Sequence, residues 1–212
     1  MDDTGGRTTY TDAFRLSIQK LRHQEPNFAA KQTGAIFDRE RGIFIMESLG
    51  KEIHITFPEG KVFLGRQDKL LPRDWSLITL NYLSRGDGRP LTGELISYRE
   101  LEAGDVFYPN LKQKVIERLA KELGTKKPER IREIFAQYKS TPAEGCDIGG
   151  VLHLFPRFPI TVKLWLADEE FPPSANVLFD SSAGGYLHTE DVAAAAYIVG
   201  DALCSPEKYM AL

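Results

Sequence analysis

The residues best suited to chemistry are carboxylates. Asp168, Glu169 and Glu170 share a turn between two apolar runs, and Asp180 closes the run that follows. Carboxylates converging from strand ends build oxygen-rich sites for Mg²⁺ or Ca²⁺, and one of them can serve as a general acid or base. His188 adds a nitrogen donor, with Glu190 and Asp191 close behind, a set that suits a transition metal. The candidate metal ligands are therefore Asp168, Glu169, Glu170, Asp180 and His188. Each has a plainer account. Three acids keep an exposed turn solvated and guard the edges of an apolar sheet, and Glu190 and Asp191 complement a helix dipole. No catalytic residue can be named, and the cofactor is unknown.

Other signals are weaker. Ser181–Gly185 is small enough to let a phosphate or a flat ligand near the backbone, but it lacks the glycine patterns of nucleotide loops. There is no GxSxG or HExxH, and Cys146 has no argued base, so nucleophilic catalysis has no support. His54 and His153 sit inside apolar strands, where a wet-face or lightly buried side chain is the simpler reading. Residues 110–139 carry nine Lys and Arg against four Glu, a charge of +5, so the rest of the chain is −8 for a total of −3. This basic stretch can dock an acidic protein partner or an anionic ligand such as a propionate-bearing tetrapyrrole.

The elements that must position these groups follow from periodicity. Val151–Phe155, Ile160–Leu166 and Ala175–Phe179 are apolar runs bounded by proline, which predicts strands of a buried sheet with Phe155, Phe158, Trp165, Phe171 and Phe179 in its core. Gly42–Met46 and Glu52–Phe57 form a hairpin across Leu49-Gly50-Lys51, with Ile53, Ile55 and Phe57 on one face and His54 and Thr56 on a wet one. Thr11-Asp12 caps a first helix whose stripe is Phe14, Ile18 and Leu21. Trp75–Leu83 reads as a buried helix. Pro109 and Pro128 each open a helix, giving a central helical hairpin. Thr189 caps a last, Ala-rich helix that lies on the sheet.

Strand blocks separated by helices make the fold class α+β, mostly antiparallel, in a single domain over residues 1–212 with 1–8 as a flexible tail. The negative charge argues against nucleic acid. No apolar run reaches transmembrane length, so no membrane partner is expected. Two scattered cysteines exclude a disulfide scaffold and point to a cytoplasmic home.

Phe155-Pro156-Arg157-Phe158-Pro159, the run Leu164 to Pro172, Leu178-Phe179-Asp180, Tyr186-Leu187 with Glu190-Asp191, and Thr92-Gly93-Glu94 resemble domain-of-unknown-function family 3786 of anaerobic bacteria and archaea. The resemblance covers nearly the whole chain. It implies no established activity. Some members are fused to a four-cysteine iron–sulfur module, which two cysteines cannot supply here. What the resemblance implies is a setting in anaerobic redox, corrinoid or tetrapyrrole metabolism. Two readings result: a ligand-binding or accessory protein, and, as the alternative, a metal-dependent enzyme using the acidic cluster.

Overall fold

A computed structural model describes residues 4–65 and 69–210. Helix α1 (Thr4–Arg22) begins well before the expected cap at Thr11-Asp12, so residues 4–8 are helical, while residues 1–3 of the expected tail lie outside the described residues. Its stripe behaves as read: Leu21 is buried, and Phe14 and Ile18 pack on the core. Helix α2 (Pro26–Thr33) starts on its proline, and the Glu25 side chain accepts the Phe28 N–H at 2.7 Å. Gly34 ends it in the left-handed conformation favoured at that position.

The first sheet runs in the order β1 (Ile36–Asp38), β2 (Ile43–Ser48), β3 (Lys51–Thr56) and β4 (Val62–Leu64), all antiparallel. The β2–β3 hairpin turns on Leu49 and Gly50, both at positive φ (48° and 75°), as two-residue hairpin turns require. One face holds Ile53 and Ile55, fully buried. The other is not wet at His54, which is buried with its Nε2 2.8 Å from Glu52 Oε1. Helix α3 (Arg73–Arg85) is buried nearly all round, including Trp75, Ile78, Tyr82 and Leu83.

The second sheet is ordered β5 (Leu95–Ser97), β9 (Ser174–Asp180), β8 (Phe158–Trp165), β7 (Ile148–Phe155) and β6 (Thr141–Pro142), again antiparallel throughout. Alternation assigns its faces. Ile148, Leu152, Ile160, Val162, Leu164, Val177 and Phe179 point inward and are buried. Helices cover that inner face. α4 (Gly104–Leu111) passes through a π turn (Lys112–Ile116) into α5 (Glu117–Leu123), which packs on β8 and β9. α6 (Pro128–Ala136) packs on β7, and the long α7 (Thr189–Cys204) lies against α3, α5 and β7 before the short α8 (Pro206–Met210). The fold is α+β, with two antiparallel sheets.

Three local expectations change. Pro109 lies inside α4, which opens at Gly104 instead. Trp165 and Phe171 are not core: they are 37% and 66% exposed, because β8 ends at Trp165 and the following turn leaves the sheet. The basic stretch does hold two successive helices, but α5 faces α7 and β9 while α6 faces β7.

The two sheets meet at one seam. The β7–β8 register shifts between His153 and Phe155, freeing carbonyls from the ladder. The hairpin tip of the first sheet takes them: Leu49 N–H donates to His153 O at 2.9 Å and Ser48 Oγ to Leu154 O at 2.6 Å. The Trp75 indole N–H donates in turn to Ser48 Oγ at 3.0 Å. Buried backbone groups thus find partners, and His153 is held outward on the open side of the sheet.

Candidate functional site

The structure does not assemble the five expected ligands. Asp168, Glu169 and Glu170 are exposed, and the Asp168 carboxylate accepts the Glu170 and Phe171 N–H groups at 2.9 and 2.7 Å, which closes the turn and lowers its pKa. Asp180 lies at the other end of β9, six residues of strand away from Ser174, or roughly 20 Å. His188 sits before α7, where its Nε2 meets Arg85 Nη1 at 3.1 Å. Among the described residues, no group of three or more His, Cys, Asp or Glu is placed to hold a metal ion.

Asp180 is nonetheless a structural centre. It is buried, and its carboxylate accepts from Thr92 N and Oγ1 (both 3.1 Å), Gly93 N (2.8 Å) and Ser182 N (2.9 Å). Burial alone would raise its pKa. The hydrogen bonds from Ser182, Thr92 and Gly93 outweigh this and hold it down to about 2. Gly93 (φ 76°) supplies the left-handed turn that aims its N–H at the carboxylate. The carboxylate therefore clamps the segment before β5 onto the end of β9.

That clamp forms one rim of an open trough on the outer face of the second sheet, with a volume of about 540 Å³. The trough crosses all five strands, from Leu95 on β5 to Pro142 on β6, a width of roughly 19 Å at the usual strand spacing. Its floor is Val151, Pro159 and Thr161. Leu91 and Leu95, both partly exposed, stand on one rim, and Pro142 to Glu144 on the other. The second rim folds close because β7 has glycine at 149, where a Cβ would come within 2.7 Å of Cys146 Sγ.

Two basic side chains enter this largely apolar trough. Lys163 is half-buried, and His153 is exposed. Among the described residues, neither side chain has a hydrogen bond or ion pair. The two carboxylates nearby differ from each other: Asp180 is committed to its clamp, and Glu144 is exposed on the rim. A cavity of this size with an apolar lining and a few polar groups is the usual form of a small-molecule site. The signal available in the sequence was the alternation on β8, where Pro159, Thr161 and Lys163 interleave with Ile160, Val162 and Leu164. Leu91, Leu95 and Glu144 carried none, because they come from distant loops.

The basic stretch 110–139 is partly used internally. Arg118 pairs with Glu122 at 2.9 Å and with Asp201 on α7, and Lys139 reaches Glu47 at 3.1 Å. Lys112 and Arg130 pair within the stretch. Lys114, Lys121, Lys126, Lys127 and Arg132 are exposed and have no ion pair among the described residues.

The architecture thus defines an α+β protein with one sheet face left open. Residues 25–201 match the family described as Domain of unknown function (DUF3786), and the chain belongs to that family. No curated protein and no solved structure matches it. Three of the segments that carry the family resemblance meet at the trough, through Pro159, Gly93 and Asp180. Among the described residues, no helix is long and apolar enough to cross a membrane.

Proposed function

We propose that this protein is a single-domain, cytoplasmic ligand-binding module that takes a small apolar molecule bearing a carboxylate in the trough of the second sheet. The supporting observation is Lys163, a half-buried ammonium without a partner among the described residues, beside His153 in a largely apolar hollow. An ammonium in that setting gains most from an anionic group delivered with an apolar body, since both are then removed from water together. A tetrapyrrole with propionates is one such molecule, and the corrinoid or tetrapyrrole setting suggested by the family makes it the first natural ligand to try. The metal-dependent enzyme reading loses its footing, because its acids are split between the two ends of β9.

Calorimetric titration with 1-naphthylacetate is the direct test, with protoporphyrin as a second arm followed by its absorption band. Saturable binding is expected, weakened about tenfold or more by Lys163→Met, the loss of one charge-assisted hydrogen bond. Binding of neither probe, or binding indifferent to Lys163→Met and Leu95→Arg alike, would remove the trough as the site.

A further inference from the structure

A second cleft lies at the corner where α1, α3 and α7 meet, and it shares no lining residue with the trough. Lys20, Asn81, Ser84, Arg85, His188 and Asp191 line it, and its volume is about 350 Å³. We infer that this corner is a separate binding site for a small carboxylic acid carrying a hydroxyl or ammonium group beside its carboxylate.

The argument starts from the two cations. Arg85 has five N–H donors, of which Nη1 meets His188 Nε2 and Nη2 donates to Gly184 O, each at 3.1 Å. Arginine cannot accept, so Nε2 of His188 is the acceptor in this contact. The guanidinium is thereby oriented while keeping donors to spare. The Lys20 ammonium has no hydrogen bond or ion pair among the described residues, although it lies near enough to Asp191 to lower its pKa. A carboxylate between Arg85 and Lys20 would satisfy both.

Asp191 supplies the other half of the site. It is half-buried, and its Oδ1 accepts from Asn81 Nδ2 at 3.1 Å. Asn81 is fixed in turn by Ser17 Oγ, 2.5 Å from its Oδ1. The second oxygen, Oδ2, has no hydrogen bond among the described residues. Burial raises the Asp191 pKa, opposed by the Asn81 hydrogen bond and by the Lys20 charge and aided by Glu190. A plain anion would face repulsion from this carboxylate. A molecule that offers an O–H or N–H group next to its own carboxylate turns the repulsion into a hydrogen bond. The cleft's polar lining and modest volume suit a small solute rather than a long apolar chain.

The test uses the full chain and three probes: acetate, lactate and alanine. Binding is followed by the His188 Cε1–H resonance, assigned with His188→Gln. Acetate should shift it saturably at tens of millimolar, and lactate or alanine should bind about tenfold tighter. Lactate ahead of alanine identifies a hydroxy acid, and the reverse an amino acid. Arg85→Gln should abolish all three shifts, and Asp191→Asn should erase the advantage over acetate. Lys163→Met should change nothing here, so this site and the trough fail independently. No saturable shift with any probe, or equal affinity for all three, would overturn the inference.

Discussion

Asp180→Asn tests the clamp that shapes the trough. In the folded protein the carboxyl is held at about 2, against an ordinary value of 3.8. That difference corresponds to about 2.4 kcal/mol, and screening from the open trough trims it to about 1–2 kcal/mol. The sign follows from the depression: ionised Asp180 stabilises the fold fully above about pH 4, and this contribution is lost as the pH falls from 4 through 2. Asparagine adds a second cost. Its Oδ1 can still accept from Thr92 and Ser182, but its amide group would confront the Gly93 N–H, leaving a buried donor unmet at about 1–3 kcal/mol. Wild type and variant should therefore differ by about 2–5 kcal/mol at pH 7, and by about 1–2 kcal/mol less at pH 2. Urea unfolding followed by circular dichroism across that range measures both. A gap that stays constant from pH 7 to 2 would refute the reasoning, as would one below about 0.5 kcal/mol at neutrality.

Three further outcomes are expected. Tyr82→Phe removes a buried hydroxyl that donates to Thr33 O at 2.5 Å and accepts from Arg157 N–H at 3.0 Å, so it should cost about 1–3 kcal/mol in the same unfolding assay. Burial pushes the Cys204 thiol up to about 12, so at pH 8 it should react with a disulfide reagent far more slowly than in urea, with Cys204→Ser as the control. Replacing Asp168, Glu169 and Glu170 together by Asn, Gln and Gln should leave the denaturant midpoint unchanged, because all three are exposed and an asparagine side chain at position 168 can still accept the two turn N–H groups.

The legible parts of this fold are those set by local pattern. Proline-bounded apolar runs announced β7, β8 and β9, and Leu49-Gly50-Lys51 between two alternating segments announced the first hairpin. Pro128 opened its helix as expected, whereas Pro109 fell within a helix already begun at Gly104, since proline is also tolerated beside a distortion such as the π turn that follows. Aromatic character alone misplaced Trp165 and Phe171, because burial depends on where the sheet ends. The candidate site was the least legible. Asp180 was noticed as a strand-end acid, yet its partners Thr92 and Gly93 lie 88 and 87 residues earlier, and only the pairing of β5 with β9 brings them together. His188 stood out with Glu190 and Asp191, but Lys20 and Arg85 reach His188 and Asp191 from two other helices.

The Asp180 clamp also bears on the order in which the chain is assembled. Synthesis proceeds at about 5–20 residues per second, so the segment around Thr92 waits roughly 4–18 seconds before residue 180 exists. During that interval the first sheet, whose pairings are all between neighbours in sequence, can close. Strand β5 cannot, and Leu91 and Leu95 stay without a sheet to join. The nascent protein thus carries an unfinished rim until β9 has been made, and the trough of the second sheet forms only after the first sheet can close.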